Sequence, residues 1–189
     1  EQEAQRLAFY DELTSLPNRR LLKEKLEKIF SNASSATPAI HALLLIDLDN
    51  FKDINDSLGH TAGDELLKQV GSRLQQQTGL TQTVARLGGD EFVILLPSSE
   101  TESLAMLAQS LLDVYRQGFV LEGCDVEIGL SIGIDIFSSG DSFTESCDRA
   151  DAAMYRVKHQ GKNGSYLYSY KKNNNLNLPT PKSITLHNP

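Results

Sequence analysis

The stretch Ala85-Arg86-Leu87-Gly88-Gly89-Asp90-Glu91-Phe92-Val93-Ile94-Leu95-Leu96 has an apolar run on each side of a Gly-Gly pair, and two acids directly follow the glycines. Consecutive glycines supply the positive φ angles of a tight β-hairpin turn, and the second apolar run has strand composition. The pattern predicts a hairpin with Asp90 and Glu91 at its tip, where glycines leave room for a ligand. Taken alone, it fits a solvated acidic turn better, because these residue types are common in turns.

A further acid ends the nearly continuous apolar run from Ala39 to Leu48, which predicts a central strand buried on both faces. Asp47 lies at the carboxyl end of this strand, where α/β sheets bind ligands. On spacing alone, a ligand-binding role and a helix-capping role for Asp47 are about equally favoured. For Asp49 and Asn50, capping is favoured at least as strongly as ligand binding.

The remaining patterns predict an α/β (α+β) fold, with a mixed β-sheet flanked by helices. Helices are predicted at 1–9, 19–30, 51–57, from 61 or 62 to 77, at 101–117, and after a capping box at 142–145. Strands are predicted at 83–87 and 92–96, which form the hairpin, and at 119–121, 126–137 and 166–168. Lys158 and Lys162 are expected on one face of the last helix or its frayed end, which is usually a solvated face.

Composition limits the classes of partner. The 189-residue chain has a net charge of −7, which argues against nucleic acid, because phosphate backbones recruit clustered Lys and Arg. Since no apolar run reaches the length of a membrane span, we expect no direct membrane contact from this segment. Two cysteines without zinc-binding spacing favour a reducing compartment. The predicted location is cytoplasmic, with the cytoplasmic part of a larger membrane-anchored protein as one form of it.

Three polar residues, Asn55, His60 and Asp64, lie near the junction of two predicted helices. An Asn beside an Asp matches the adjacent N1–H and N2–H₂ donors of guanine chemically. Ordinary helix-terminal roles also fit, with Asn55 near a helix end and Asp64 in a first turn. The chemistry of these residues alone favours the ordinary roles.

Six motifs in this order resemble the GGDEF family of diguanylate cyclases over about Leu7 to Tyr168. The motifs are Asp11-Glu12-Leu13-Thr14-Ser15-Leu16-Pro17-Asn18-Arg19, Asp47-Leu48-Asp49-Asn50-Phe51-Lys52-Asp53-Ile54-Asn55-Asp56, Gly59-His60-Thr61-Ala62-Gly63-Asp64, Gly88-Gly89-Asp90-Glu91-Phe92, Ser131-Ile132-Gly133 and Ala150-Asp151-Ala152-Ala153-Met154-Tyr155. The resemblance implies a fold like the palm of nucleotidyl cyclases and polymerases, with the hairpin carrying the GGDEF motif. We expect the end of an upstream signalling helix or linker at 1–13, the domain at 14–170 and a polar, disordered tail at 171–189.

The resemblance also implies an activity and its partners. Two GTP molecules would condense to cyclic di-GMP, with release of two pyrophosphates. Because the product joins two nucleotides and one domain offers one guanine pocket, a second copy must face the first in a transient homodimer. An upstream sensor domain of the full-length protein would set this dimer.

Residue roles carried over from the family divide into three sets. The implied metal ligands, for Mg²⁺ with Mn²⁺ as an alternative, are Asp47, the backbone carbonyl of Leu48, and Asp90. Asp90 would also serve the attacking 3′-hydroxyl, with Glu91 as the second catalytic residue in support. The implied substrate-binding residues are Phe51, Lys52, Asn55, His60, Asp64, Gly88, Gly89, Lys158 and Lys162. The family usually has Arg at position 162, so a bidentate phosphate contact is lost there.

Two other function classes remain open at this point. The first is a catalytically silent GTP-binding module that regulates a neighbouring phosphodiesterase or receptor domain. Against it, degenerate modules usually lose the hairpin acids, and Asp90 and Glu91 are present. The second is a scaffold without nucleotide, which would require all six motifs to be coincidental.

One departure from the family generates a prediction about product feedback. Many members carry an Arg-x-x-Asp site for product inhibition shortly before the Gly-Gly pair, where this chain has Gly79-Leu80-Thr81-Gln82. Since the guanidinium and the carboxylate are both missing, we predict no cyclic di-GMP inhibition through this site. A titration of the chain with cyclic di-GMP checks this. Tight binding with Gly79 or Gln82 as the main contact would contradict it.

Overall fold

The computed structural model describes residues 2–31, 40–79, 82–97, 101–138 and 140–168, and the predicted tail at 171–189 lies outside these ranges. The helices are α1 (Gln2–Phe9), α2 (Arg19–Ser31), α3 (Phe51–Leu58), α4 (His60–Gln77), α5 (Thr101–Tyr115) and α6 (Phe143–His159). The strands are β1 (Ile40–Leu48), β2 (Thr83–Gly88), β3 (Glu91–Pro97), β4 (Phe119–Leu121), β5 (Cys124–Val126), β6 (Leu130–Ser138) and β7 (Gly164–Leu167).

The main sheet has the strand order β2-β3-β1-β6-β7. Strand β1 pairs antiparallel with both β3 and β6, and β2 pairs antiparallel with β3. The last pair, β6 with β7, is parallel, which confirms the predicted mixed sheet. Strand β1 is therefore the central strand, and its carboxyl end lies between the hairpin and the start of β6.

Helices cover both faces of this sheet, as the apolar run of β1 predicts. Leu44 and Ile46 belong to the core on one face, which includes residues of α4 and α5. Leu43 and Leu45 belong to the core on the other face, which includes residues of α2 and α6. Because side chains alternate along a strand, Asp47 lies on the same face of the sheet as α6.

Helix α6 lies against β6 with almost no space at Gly133. A Cβ atom at this position would overlap the carbonyl oxygen of Ala150 and lie 2.5 Å from the backbone nitrogen of Met154. The predicted close approach at Gly133 is thereby confirmed, and it occurs between backbones. The start of α6 is also as predicted, because Ser142 and Glu145 form a capping box.

Three local predictions are wrong. The strand predicted at 126–137 is two strands, β5 and β6, because residues 127–129 lie between them and β5 pairs with β4 in a separate ribbon. Helix α6 ends at His159, and Lys162 has a φ of 64°, so Lys158 and Lys162 share no helical face. Helix α4 begins at His60, so Asp64 lies beyond its first turn.

The described ranges also show the character of the helices and the state of the cysteines. None of the helices there has the combination of length and apolar character that a membrane crossing requires. Both cysteines are free, with Cys124 exposed and Cys147 half-buried. Burial raises the pKa of the Cys147 thiol to about 11, so this thiol stays protonated at neutral pH.

A buried ion cluster joins α6 to β6 at the end of the sheet away from the hairpin turn. The guanidinium of Arg149 donates to both carboxylate oxygens of Asp135, at 2.8 and 2.9 Å, and forms an ion pair with Asp141 at 3.3 Å. The hydroxyl of Ser146 donates to Asp135 at 2.8 Å. Burial raises the pKa of Asp135, although Arg149 opposes the shift.

We predict that Arg149→Met lowers the free energy of unfolding by about 3–5 kcal/mol, because Asp135 stays buried and loses its cation. Urea denaturation at neutral pH measures this loss. The matched control is Arg116→Met, since the ion pair of Arg116 with Asp113 is exposed, with 41% of the Arg116 side chain accessible against 13% for Arg149. The control should change stability by less than about 1 kcal/mol. Equal losses in the two variants would contradict the prediction.

Candidate active site

The predicted hairpin forms between β2 and β3, with Gly89 and Asp90 in the turn and Gly88 paired with Glu91, so that Asp90 lies at the tip and Glu91 begins β3. Gly88 and Gly89 have φ angles of 135° and 51°, values that other residues rarely adopt. A Cβ atom at either position would have no heavy atom within 4 Å, so the turn borders open space. The glycines therefore shape the turn and leave its outer side accessible to a ligand.

Arg86 fixes the hairpin turn to the N-terminal segment, a role that the sequence analysis missed. Its Nε and Nη2 atoms donate to the carbonyl of Gly89 at 3.1 and 2.7 Å, and its Nη1 donates to both oxygens of Asp11 at 3.0 Å each. Burial alone would raise the pKa of Asp11, but hydrogen bonds from Thr14 and Arg86 hold it below its usual value. One guanidinium thus connects the turn to the segment after α1.

Asp47 meets the hairpin through the pairing of β1 with β3. In the register of these strands, Asp47 lies directly opposite Glu91, and the N–H of Leu48 donates to the carbonyl of Asp90 at 3.3 Å. Lys158 extends from α6 on the same face, and its Nζ lies 3.0 Å from Oδ2 of Asp47. Only 12% of the Asp47 side chain is accessible. The structure therefore brings the predicted acids together with one of the predicted phosphate-binding lysines.

The charges at the carboxyl end of β1 and the hairpin tip are unbalanced. Burial raises the pKa of Asp47 to about 6, Lys158 lowers it, and the nearby charges of Asp90 and Glu91 raise it further. Three acidic side chains therefore lie near a single lysine, and the acids outnumber it. Like charges on paired residues of a sheet are destabilising. The site therefore favours binding of a cation.

The oxygen atoms at the carboxyl end of β1 and the hairpin tip are of the type that binds Mg²⁺ or Mn²⁺. Carboxylate and carbonyl oxygens are the ligands that these hard cations prefer, and Asp47, Asp90 and the carbonyl of Leu48 supply them. Within the described ranges, no three His, Cys, Asp or Glu side chains converge on one point as a complete metal site. Mg²⁺ is commonly bound through one or two carboxylates, with water and substrate phosphates as its other ligands.

The predicted guanine-binding residues lie on α3 and α4, the two helices that follow β1. Asn55 is half-buried on α3, whereas His60 and Asp64 are exposed on α4. A Cβ atom at Gly63 would overlap Oδ1 of Asn55, so the Asn55 side chain lies over the residue preceding Asp64. Phe51 packs partly into the core, and Lys52 is exposed beside it in the first turn of α3.

Lys162 contacts the start of α3. It lies in the turn between α6 and β7, where its Nζ donates to Oδ1 of Asn50. Asn50 is the N-cap residue of α3 but makes no side-chain capping hydrogen bond. The carboxylate of Asp49 bonds to β6 and to this turn, so the capping interpretation of Asp49 and Asn50 is wrong. At the expected inhibition site, Leu80 and Thr81 lie outside the described residues.

Comparisons with known proteins show the family of this chain. The family described as "Diguanylate cyclase, GGDEF domain" matches residues 8–164. The chain is 41% identical over 170 residues to the bifunctional diguanylate cyclase/cyclic di-GMP phosphodiesterase MucR of Pseudomonas aeruginosa. This match covers 89% of the chain and 25% of MucR, so the chain spans about a quarter of that relative.

Two solved structures are similar in fold. The GGDEF domain of TpbB from Pseudomonas aeruginosa has a TM-score of 0.79 and 36% identity, over 84% of this chain and 94% of that one. The coiled coil and GGDEF domain of DgcB from Caulobacter crescentus, solved in complex with c-di-GMP, has a TM-score of 0.79 and 26% identity. That match covers 88% of each chain.

The raised pKa of Asp47 generates a stability prediction for Asp47→Asn without metal. Because the folded-state pKa is about 6 instead of 3.8, the folded protein keeps a proton that the unfolded chain releases between these values. The free energy of unfolding of the wild type should therefore fall as pH rises through this window. We expect a smaller fall in Asp47→Asn, measured by urea denaturation at several pH values in EDTA.

The same pair of proteins tests metal binding. Mg²⁺ should raise the melting temperature of the wild type at neutral pH and have little effect on Asp47→Asn, because only binding to the folded state stabilises it. Asp125→Asn, which changes an exposed acid on β5, serves as the control and should respond like the wild type. Equal Mg²⁺ responses in wild type and Asp47→Asn would exclude Asp47 as a ligand.

Proposed function

The chain belongs to the diguanylate cyclase GGDEF-domain family, and from this premise we propose that it condenses two GTP molecules into cyclic di-GMP and two pyrophosphates. The observation that carries the proposal is the position of Asp47 opposite Glu91, with Lys158 3.0 Å from the Asp47 carboxylate. Phosphoryl transfer requires hard oxygen ligands for a cation together with positive charge for the phosphates. The carboxyl end of β1 and the hairpin tip supply acidic oxygens, and Lys158 supplies the positive charge.

In the proposed complex, Asp47, the carbonyl of Leu48 and Asp90 would hold Mg²⁺ or Mn²⁺. The bound ion would polarise the triphosphate and lower the pKa of the 3′-hydroxyl beside it. Asp90, supported by Glu91, accepts the proton of that hydroxyl. Because Asp90 follows Gly89 at the tip of the hairpin, a second nucleotide can reach it from the open side of the turn.

Substrate binding is proposed for the helices and the turn around this edge. Asn55 and Asp64 bind the guanine edge, with His60 near the ribose or base. The backbone of Phe51 and the side chain of Lys52 approach the triphosphate at the start of α3, where backbone N–H groups favour anions. Lys158 and Lys162 neutralise the phosphates, and Gly88 and Gly89 leave room for them.

A second copy of the domain is proposed to complete the reaction. Each copy holds one GTP, so each 3′-hydroxyl must attack the α-phosphate of the nucleotide on the facing copy. The dimer is transient and depends on an upstream sensor domain in the full-length protein. The proposed location is the cytoplasm, where GTP is available.

The experiment is incubation of the purified chain with GTP and Mg²⁺, with and without fusion to a dimeric coiled coil. We expect cyclic di-GMP and pyrophosphate in a ratio of 1:2, and a rate that rises with the square of protein concentration for the unfused chain. Asp90→Ala should abolish the product, whereas Asp125→Asn should not. If the fused protein binds GTP but forms no product, the proposed activity is wrong.

The alternative is a GTP-binding module without turnover, controlling a neighbouring catalytic domain. The name of MucR describes both cyclase and phosphodiesterase activity in one protein, so a relative of this chain has the kind of neighbouring activity that such a module would control. GTP binding without product, together with GTP-dependent activity of a partner phosphodiesterase domain, would support this second function. Intact Asp90 and Glu91 favour the cyclase.

A further inference from the structure

The carboxylate of Asp49 lies where three segments of the chain meet: the end of β1, the start of β6 and the turn after α6. The residue is only 7% exposed. Its Oδ1 accepts a hydrogen bond from the Ser131 hydroxyl at 2.6 Å, and its Oδ2 accepts one from the backbone N–H of Asn163 at 2.8 Å. Hydrogen bonds to an ionised acceptor are stronger than those between neutral groups. This side chain therefore connects β6 and the turn to the central strand.

The turn between α6 and β7 has an uncommon backbone conformation. Gly161, Lys162 and Asn163 have φ angles of 112°, 64° and 45°. Lys162 and Asn163 thus adopt a left-handed conformation that non-glycine residues seldom occupy. Such conformations persist where surrounding contacts impose them. Asn adopts this conformation more readily than most residues, and at Asn163 the hydrogen bond from its N–H to Asp49 is one contact that holds it.

The same turn sets the position of Lys162. The N–H of Lys162 donates to the carbonyl of Val157 at 3.0 Å, which attaches the turn to α6. Its Nζ donates to Asn50, the residue after Asp49. Lys162 is thus held at the start of α3 through two adjacent residues of one segment.

Close packing around Asp49 supports a specific role for its carboxylate. A Cβ atom at Gly129 would lie 2.9 Å from Oδ2 of Asp49 and 3.2 Å from Cβ of Asn163. The N–H of Asp49 also donates to the carbonyl of Gly129 at 2.9 Å. The absence of a side chain at position 129 therefore allows the carboxylate to reach the turn.

We propose that Asp49 is a positioning residue, which holds the turn 160–163 so that Lys162 is directed toward the phosphates of GTP. The inference rests on the proposed function, in which Lys162 binds those phosphates. It assigns Asp49 no contact with metal or substrate. Asp49 acts through its two accepted hydrogen bonds, and its effect on GTP depends on Lys162.

Two substitutions at position 49 distinguish a positioning role of Asp49 from a role as a metal ligand. Asp49→Ala removes both hydrogen bonds and should weaken Mg²⁺-dependent binding of guanosine 5′-[α,β-methylene]triphosphate about tenfold. Asp49→Asn should bind nearly as the wild type, because its amide oxygen can accept from Asn163 while its NH₂ donates to the rotated Ser131 hydroxyl. Asp125→Ala, which changes an exposed acid on β5, is the control and should have no effect. Asp49→Asn binding as weakly as Asp49→Ala would overturn the inference.

A double-mutant cycle tests the dependence on Lys162. Calorimetry with the same analogue should show Asp49→Ala/Lys162→Ala binding no more weakly than the weaker single variant, because both changes remove one interaction. If the losses of affinity in the two single variants multiply in the double variant, Asp49 acts independently of Lys162, and the inference is overturned.

A measurement without nucleotide tests whether Asp49 holds the turn. The Asn163 amide should exchange slowly with solvent in the wild type and in Asp49→Asn, and at least tenfold faster in Asp49→Ala, by NMR hydrogen exchange. Unchanged exchange in Asp49→Ala would exclude the inference even if GTP binds. If the wild type fails to bind the analogue, the proposed function fails, while this measurement still determines whether Asp49 holds the turn.

Discussion

The antiparallel pairing of β1 with β3 is the constraint on which the site depends. This register places Asp47 opposite Glu91, while the preceding residues of β1 fill the core on both faces of the sheet. A slip of one residue would turn Asp47 to the other face and expose or misplace every apolar side chain of the strand. The free energy that fixes the core therefore also fixes the register in which Asp47 faces Glu91.

The same arrangement has an electrostatic disadvantage in the protein alone. Asp47 is buried beside two further acids, and Lys158 neutralises only part of their charge. Active sites commonly retain such unfavourable charge, because a ligand of opposite sign later compensates it. The Arg86 guanidinium keeps the hairpin turn in place through Gly89 and Asp11, which limits how far the acids can separate.

The elements of this fold that depend on local sequence were predictable. The Gly-Gly turn, the apolar run of β1 and the capping box before α6 each follow from residue types within a short segment. The family resemblance supplied the candidate acids, and the structure brings Asp47, Glu91 and Lys158 together.

Contacts between distant segments could not be predicted. Arg86 and Asp11 are 75 positions apart, and Asp49 bonds to residues 82 and 114 positions away. Such hydrogen bonds leave no periodic signal in the sequence. The end of α6 could not be predicted either. The spacing of Lys158 and Lys162 suits a helix, whereas the backbone leaves the helix after His159 and is left-handed at Lys162.

Gly133 has a consequence for how this domain can diverge. Because the backbone of α6 rests on β6 at this position, the separation of helix and sheet is set by main-chain atoms and not by side-chain size. Substitutions on the exposed side of α6 can therefore accumulate without altering the distance that Lys158 must span to reach Asp47. The outer surface of α6 can therefore change while the helix stays at the same distance from the sheet at Gly133.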